Sequence, residues 1–136
     1  MKIKFIIFIS FLFFVSNLKN LKSDYFKQGI WFDLIGTWEG ENNSYSTEKG
    51  YRSWKKKITI FEQNERLFKG NFKYADGEKN FLGVLRLNNR TFYWVSPESK
   101  GYIHGEVINV DTIEVCYTEA YKGAAVGCSI LKKIKK

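Results

Sequence analysis

Two cysteines, one histidine and one inward-facing lysine are the residues whose chemistry stands out. Cys116 and Cys128 are the only cysteines of the chain. A hairpin centred on Lys122 sets them directly opposite each other, on the outer face of a strand pair. In an oxidising compartment such a pair is a candidate disulfide that staples the last hairpin; the other reading is two free thiols. His104, the sole histidine, falls on the same outer face beside Tyr93 and Cys116. A Cys–His pair can begin a nucleophilic site, but no third orienting group or oxyanion site accompanies it. Two Cys and one His do not make a closed metal set. No nucleophile elbow, zincin helix or phosphate loop occurs. Glu39, Glu41, Glu106 and Glu114 alternate outward along strands, as carboxylates do on solvated β faces. The sequence therefore predicts no catalytic residues, no metal and no cofactor, and the chemistry it offers is binding.

Lys56 is the exception among the inward positions. It falls one step inside the open end of the fold, and a buried ammonium needs a partner. An anionic ligand head group, Glu41, Glu78 or water would supply one. The same inner face carries Trp54, Phe72, Tyr74, Phe81, Trp94, Ser96 and Tyr117, and the longest loop at that end carries Tyr45, Tyr51 and Arg52. With Lys56, all of these but Tyr45 form the candidate ligand site. Inner-face aromatics are more often core than ligand box, and a barrel of eight strands either fills itself or holds one small ligand.

The elements that position these residues are short strands joined by tight turns. Asp76-Gly77 and Asn88-Asn89 are two-residue hairpin signals. Centring on the first sets Phe72 opposite Phe81, Gly70 opposite Gly83 and Phe68 opposite Leu85. Centring on the second sets Leu85 opposite Phe92 and Gly83 opposite Trp94. Both place Phe68, Gly70, Phe72, Phe81, Gly83, Leu85, Phe92 and Trp94 on one face. Glycine weakens a strand, so Gly70 and Gly83 beside Trp94 suggest room for a large neighbour or a ligand. A turn at 97–100 sets Trp94 opposite Ile103, and one at 109–111 sets Val107 opposite Ile113. A three-residue turn at 63–65 turns Ile58 and Ile60 inward; a two-residue turn would turn Phe61 inward instead.

Eight strands result, near 36–43, 54–62, 66–74, 79–87, 91–96, 101–108, 112–118 and 125–133. The expected fold is all-β: an eight-stranded antiparallel up-and-down β-barrel, preceded by a signal peptide and a short N-terminal helical segment. Connections at 63–65, 88–90 and 109–111 are short, and those at 44–53, 75–78, 97–100 and 119–124 are longer. The short end is the expected floor and the long-loop end the expected mouth, where binding usually resides.

Residues 1–20 read as the signal peptide: Lys2 and Lys4 precede an apolar run from Phe5 to Val15, too short for a comfortable span. The cleavage site is weak, and a retained anchor is the alternative. Residues 21–35 form the helical lead-in, with Phe26, Ile30, Trp31 and Leu34 at helical spacing, and 36–136 form the barrel domain. The chain is expected in the periplasm or secreted. Its 22 Lys and Arg stand against 14 Asp and Glu; without Lys2 and Lys4 the balance is 20 against 14, a net of +6. Much of the excess is the tail Lys132-Lys133-Ile134-Lys135-Lys136, a solubilising surface that offers contact to anionic membranes. No nucleic-acid partner is expected.

Leu34-Ile35-Gly36-Thr37-Trp38, followed by Phe68-Lys69-Gly70-Asn71-Phe72, resembles the avidin and lipocalin group of barrels, the calycins. Phe92-Tyr93-Trp94-Val95-Ser96 is similar to the avidin strand that carries a ligand-contacting tryptophan. The resemblance spans about 34–108 and implies that Trp38 closes the floor. Gly40 stands where avidins use asparagine, and Phe72 where they use tyrosine, so the resemblance does not imply biotin. Lipocalins stack an arginine on the floor tryptophan; here Lys132 or Lys133 is available. The expected function is an exported barrel binding a small hydrophobic or anionic amphiphilic ligand. The alternative is a periplasmic protein-interaction module such as a hydrolase inhibitor.

Overall fold

The computed structural model describes residues 30–74, 77–97, 99–120 and 123–135. The expected signal peptide and most of the helical lead-in lie outside the described residues. Eight strands follow in chain order: β1 (Gly36–Ser46), β2 (Gly50–Asn64), β3 (Leu67–Tyr74), β4 (Gly77–Leu85), β5 (Thr91–Val95), β6 (Gly101–Asn109), β7 (Thr112–Ala120) and β8 (Ala124–Lys133). Each pairs antiparallel with the next, and β1 pairs with β8 to close the barrel. The local cause is period-two patterning. In β8, Gly127, Ser129 and Leu131 are buried while Val126, Cys128 and Ile130 are exposed. Closure then leaves no strand edge unpaired.

Most expected registers hold. Leu85 lies opposite Phe92, Gly83 opposite Trp94, Trp94 opposite Ile103, and Val107 opposite Ile113. The β3–β4 hairpin does not. Tyr74 lies opposite Gly77, so Phe68 faces Gly83 and Gly70 faces Phe81. This is a slip of two residues from the expected pairing, and a two-residue slip keeps every side chain on its face. It also opposes each glycine to a phenylalanine instead of to another glycine. A Cβ on Gly83 would stand 2.3 Å from the Phe68 ring. The glycines therefore make room for large neighbours, and cross-strand aromatic coverage offsets the weakness of a strand glycine.

The β2–β3 connection reaches the expected faces by another route. The turn is the two-residue Glu65-Arg66, with Glu65 at φ 51°. Such a turn alone would point Phe61 inward. A bulge between Ile60 and Glu62 absorbs Phe61, so Ile58 and Ile60 stay buried and Phe61 is exposed.

The expected contrast in loop length is absent. Residues 44–46 and 50–53 continue β1 and β2, with Tyr45 paired to Tyr51, and only 47–49 connect them. Opposed aromatics and the Tyr51 hydroxyl bond to Asn43 Oδ1 at 3.0 Å extend this ladder. Tyr45, Tyr51 and Arg52 are therefore strand residues, not loop residues.

Residues 30–35 are not helical. Their backbone is bonded to side chains of the barrel floor instead. Phe32 N–H donates to Asn89 Oδ1 at 2.7 Å, Leu34 N–H donates to Gln63 Oε1, and Gln63 Nε2 donates to the Phe32 carbonyl, both at 2.9 Å. The apolar spacing of Trp31 and Leu34 serves a plug, with Leu34 fully buried. Trp38 Nε1 donates to the Leu34 carbonyl at 2.9 Å. Lys133 places its ammonium 5.1 Å from the centre of the Trp38 ring; Lys132, the other candidate for this role, shows no such contact. Above this floor Phe81 and Phe92 stack on either side of Trp94, at 4.5 and 5.7 Å, and Phe68 meets all three edge-on.

Candidate functional site

The aromatic cluster stops at Trp94. Beyond it, at the end away from the plug, a cavity of about 250 Å³ opens. β2 supplies Trp54 and Lys56, β3 supplies Phe72 and Tyr74, β5 supplies Trp94, and β7 supplies Tyr117. These six of the ten sequence-selected residues are brought together. They meet because each sits on the inward parity of its strand, near the mouth. Phe81 lies below the cavity as core, stacked on Trp94. Ser96 is buried where β5 ends, and its carbonyl accepts the Ser99 N–H at 3.0 Å. Tyr51 lines a hollow on the outer wall with Tyr45, Val126 and the disulfide. Arg52 is exposed across from Ser44.

Lys56 is 4% exposed. Across the ladder it faces Gly40, which offers no side chain. Its ammonium sits 5.5 Å from the centre of the Tyr117 ring. Among the described residues it makes no hydrogen bond and no ion pair. The two expected carboxylate partners are engaged elsewhere: Glu41 accepts the Ser53 hydroxyl, and Glu78 pairs with Lys73 at 3.8 Å. Burial alone lowers the Lys56 pKa from 10.5 to about 8. The outer wall shows the opposite arrangement. Glu39 is held below the usual carboxylate range, first by the hydrogen bond from Lys57 and then by that from Lys55.

Two further donors inside the barrel lack partners. Trp94 Nε1 and Asn42 Nδ2 are buried without a hydrogen bond among the described residues. Asn42 does accept the Ser129 hydroxyl, at 2.7 Å, through its Oδ1. Both are donors, so the described interior is short of acceptors. An occupant bearing oxygen acceptors complements it, whereas a cationic one does not.

Sequence reasoning missed Lys79, Thr118 and Glu119 in the lining, and Asn42 behind it. The signal was available: Glu119 continues the inward set Ile113, Val115, Tyr117, and Asn42 continues Trp38 and Gly40. It was lost by ending β7 at 118 and giving β1 only its floor half as core. Ser99 enters from the 96–100 connection, where no periodicity applies, and Tyr102 from the start of β6.

The outer-face pair is joined: Cys116 and Cys128 form a disulfide across β7 and β8. His104 lies opposite both Tyr93 and Cys116 on that face.

No protein-family model matches the chain, and no curated protein matches its sequence. Solved structures share its fold. A protein of unknown function from the DUF3598 family of Nostoc punctiforme matches with a TM-score of 0.59 at 8% identity, over 74% of this chain. The chain spans 47% of that protein's length. A designed fluorescence-activating β-barrel matches at 16% identity over 74% of this chain and 94% of its own, with a TM-score of 0.47. The S-type phycobiliprotein lyase of Guillardia theta matches at 8% identity over 76% and 89%, with a TM-score of 0.41. At 8% identity the first of these likenesses concerns the fold alone.

Proposed function

We propose that this chain is an exported, calycin-like barrel that binds a small, partly hydrophobic molecule with an anionic or otherwise acceptor-bearing head group. It is a binder and not an enzyme in this reading, and it acts in the periplasm or outside the cell. One observation carries the proposal: a buried, cationic Lys56 with no hydrogen bond or ion pair among the described residues, on the wall of an aromatic cavity. A charge in that position costs several kcal/mol unless it is paired, and an anionic head group entering the mouth pairs it. The aromatic walls Trp54, Tyr74 and Tyr117 cover the apolar part of such a ligand. The Gly-x-Trp floor, with Lys133 over Trp38, supports the calycin-like reading.

Native mass spectrometry of the mature protein, purified gently from its own envelope or medium, tests the proposal. A retained mass of a few hundred daltons, lost in Lys56→Met, is the expected result. An apo mass that persists after addition of lipid extracts and small aromatic carboxylates would overturn it. The alternative, a protein-interaction module such as a hydrolase inhibitor, draws on the exposed Tyr45, Tyr51 and Val126 of the outer wall. It predicts a protein partner lost on substitution of these tyrosines, with Lys56 irrelevant. The basic C-terminal tail adds a contact to anionic membrane surfaces in either case.

A further inference from the structure

Among the described residues Lys56 is the buried amine of the cavity lining, and simple ligand binding does not use its nucleophilicity. We propose that Lys56 captures small aromatic aldehydes or ketones as a Schiff base, so that the mouth is a reversible covalent trap for carbonyl compounds. This rests on the reading of the cavity as a small-ligand site and names a ligand class for it.

The geometry supplies what imine formation needs. The amine must be free of a carboxylate that would hold it protonated, and none pairs with it among the described residues. It must be neutral to attack. A lysine with pKa about 8 is roughly one-tenth free base at pH 7, against less than about one in a thousand for an exposed lysine. Desolvation in an apolar pocket is a recognised route to such lysines. Trp94, whose Nε1 makes no hydrogen bond among the described residues, belongs to the same lining.

The step balances without an oxidant or reductant. The Nζ lone pair forms a bond to the carbonyl carbon, and the carbonyl π pair moves to oxygen, which takes one of the two amine protons. The carbinolamine nitrogen then gives up its second proton, which passes to the hydroxyl; the C–O bond breaks and water leaves as the C=N bond forms. Glu119, in the same lining, is the carboxylate available to relay that proton. The other titratable groups of the cavity are Tyr74 from β3, Lys79 from β4, Tyr102 from β6 and Tyr117 from β7.

The test treats the full-length protein with 2-naphthaldehyde and cyanoborohydride, which fixes an imine as a stable amine, and maps the adduct by peptide mass spectrometry. Binding of 2-naphthoate, read by tryptophan quenching, is measured in parallel. The expected result is one adduct, on Lys56, formed at least tenfold faster at pH 7 than on any surface lysine. Its rate should rise with pH and level off above about 8. Lys56→Arg, which cannot form an imine, should lose the adduct, and naphthoate binding is read on the unmodified sequence. Adducts spread evenly over surface lysines while naphthoate still binds would overturn the Schiff base and leave the cavity reading standing. Failure of both probes to reach the cavity would overturn both. Should Lys56→Arg fail to fold by near-ultraviolet circular dichroism, the map on the unmodified sequence decides alone.

Discussion

The floor and the mouth of this barrel each hold one tryptophan and one lysine, and the two pairs end in different states. At the floor the Trp38 indole donates to Leu34, and Lys133 lies over its ring with its ammonium 3.3 Å from the Asp33 carbonyl. At the mouth the Trp94 indole has no acceptor and Lys56 has no counter-charge among the described residues. The floor is completed by its own chain, because the Trp31–Leu34 segment brings carbonyls and a carboxylate across it. Nothing equivalent crosses the described mouth. The end that the chain finishes is structural, and under the proposed function the other is where a ligand completes the bonding.

The largest expected effect breaks the floor. Trp38→Ala removes a fully buried indole and its bond to the plug, and should cost about 3–5 kcal/mol in denaturant unfolding. The comparable change at the mouth should go the other way. Lys56→Met removes an unpaired buried charge, and a pKa lowered from 10.5 to about 8 corresponds to about 3 kcal/mol. We expect Lys56→Met to be more stable than the native protein by about 1–3 kcal/mol at pH 7. The sign follows from linkage. The unfolded state binds more protons between pH 8 and about 10.4, so native stability rises relative to Lys56→Met through that window. A gap that fails to close in urea melts at pH 7 and pH 10 would show that Lys56 has a partner at the mouth.

The disulfide is an intermediate case, stapling the outer wall independently of either end. Its cysteines are 12 residues apart, so replacing both with serine should cost about 2–3 kcal/mol without changing ligand affinity. A loss of affinity would tie the β7–β8 wall to the site. The smallest effect sharpens the floor. Lys133→Ala should cost about 0.5–1 kcal/mol for the cation over Trp38, and a thermal melt unchanged within error would reduce that contact to proximity.

How much was legible follows from the kind of information each feature carries. The inner face was readable because side chains alternate along a strand, and turns such as Asn88-Asn89 announce themselves. Asn88 Oδ1 accepts the Arg90 and Thr91 N–H groups there, and Asn89 takes φ 55°. Lys56 was found by the same alternation from Ile58 and Ile60. Loop lengths were less legible, because Tyr45 and Tyr51 continue a ladder through polar sequence with no apolar alternation to mark it. The lead-in was misread at Trp31 and Leu34, since helical spacing also describes a plug whose backbone is bonded by Gln63 and Asn89 from far along the chain.

The sequence by itself determined eight strands, their inward faces and the opposition of Cys116 to Cys128. These depend on period-two patterning and on turns, which are local. Only the tertiary structure decided the β3–β4 register, because a slip of two residues leaves the faces unchanged and only the fit of Phe68 over Gly83 selects between them. Only it decided that Glu41 and Glu78 turn to other partners, leaving Lys56 without an ion pair among the described residues. Whether a buried charge is paired depends on atoms distant in the chain converging within a few ångströms, and no local pattern encodes that distance.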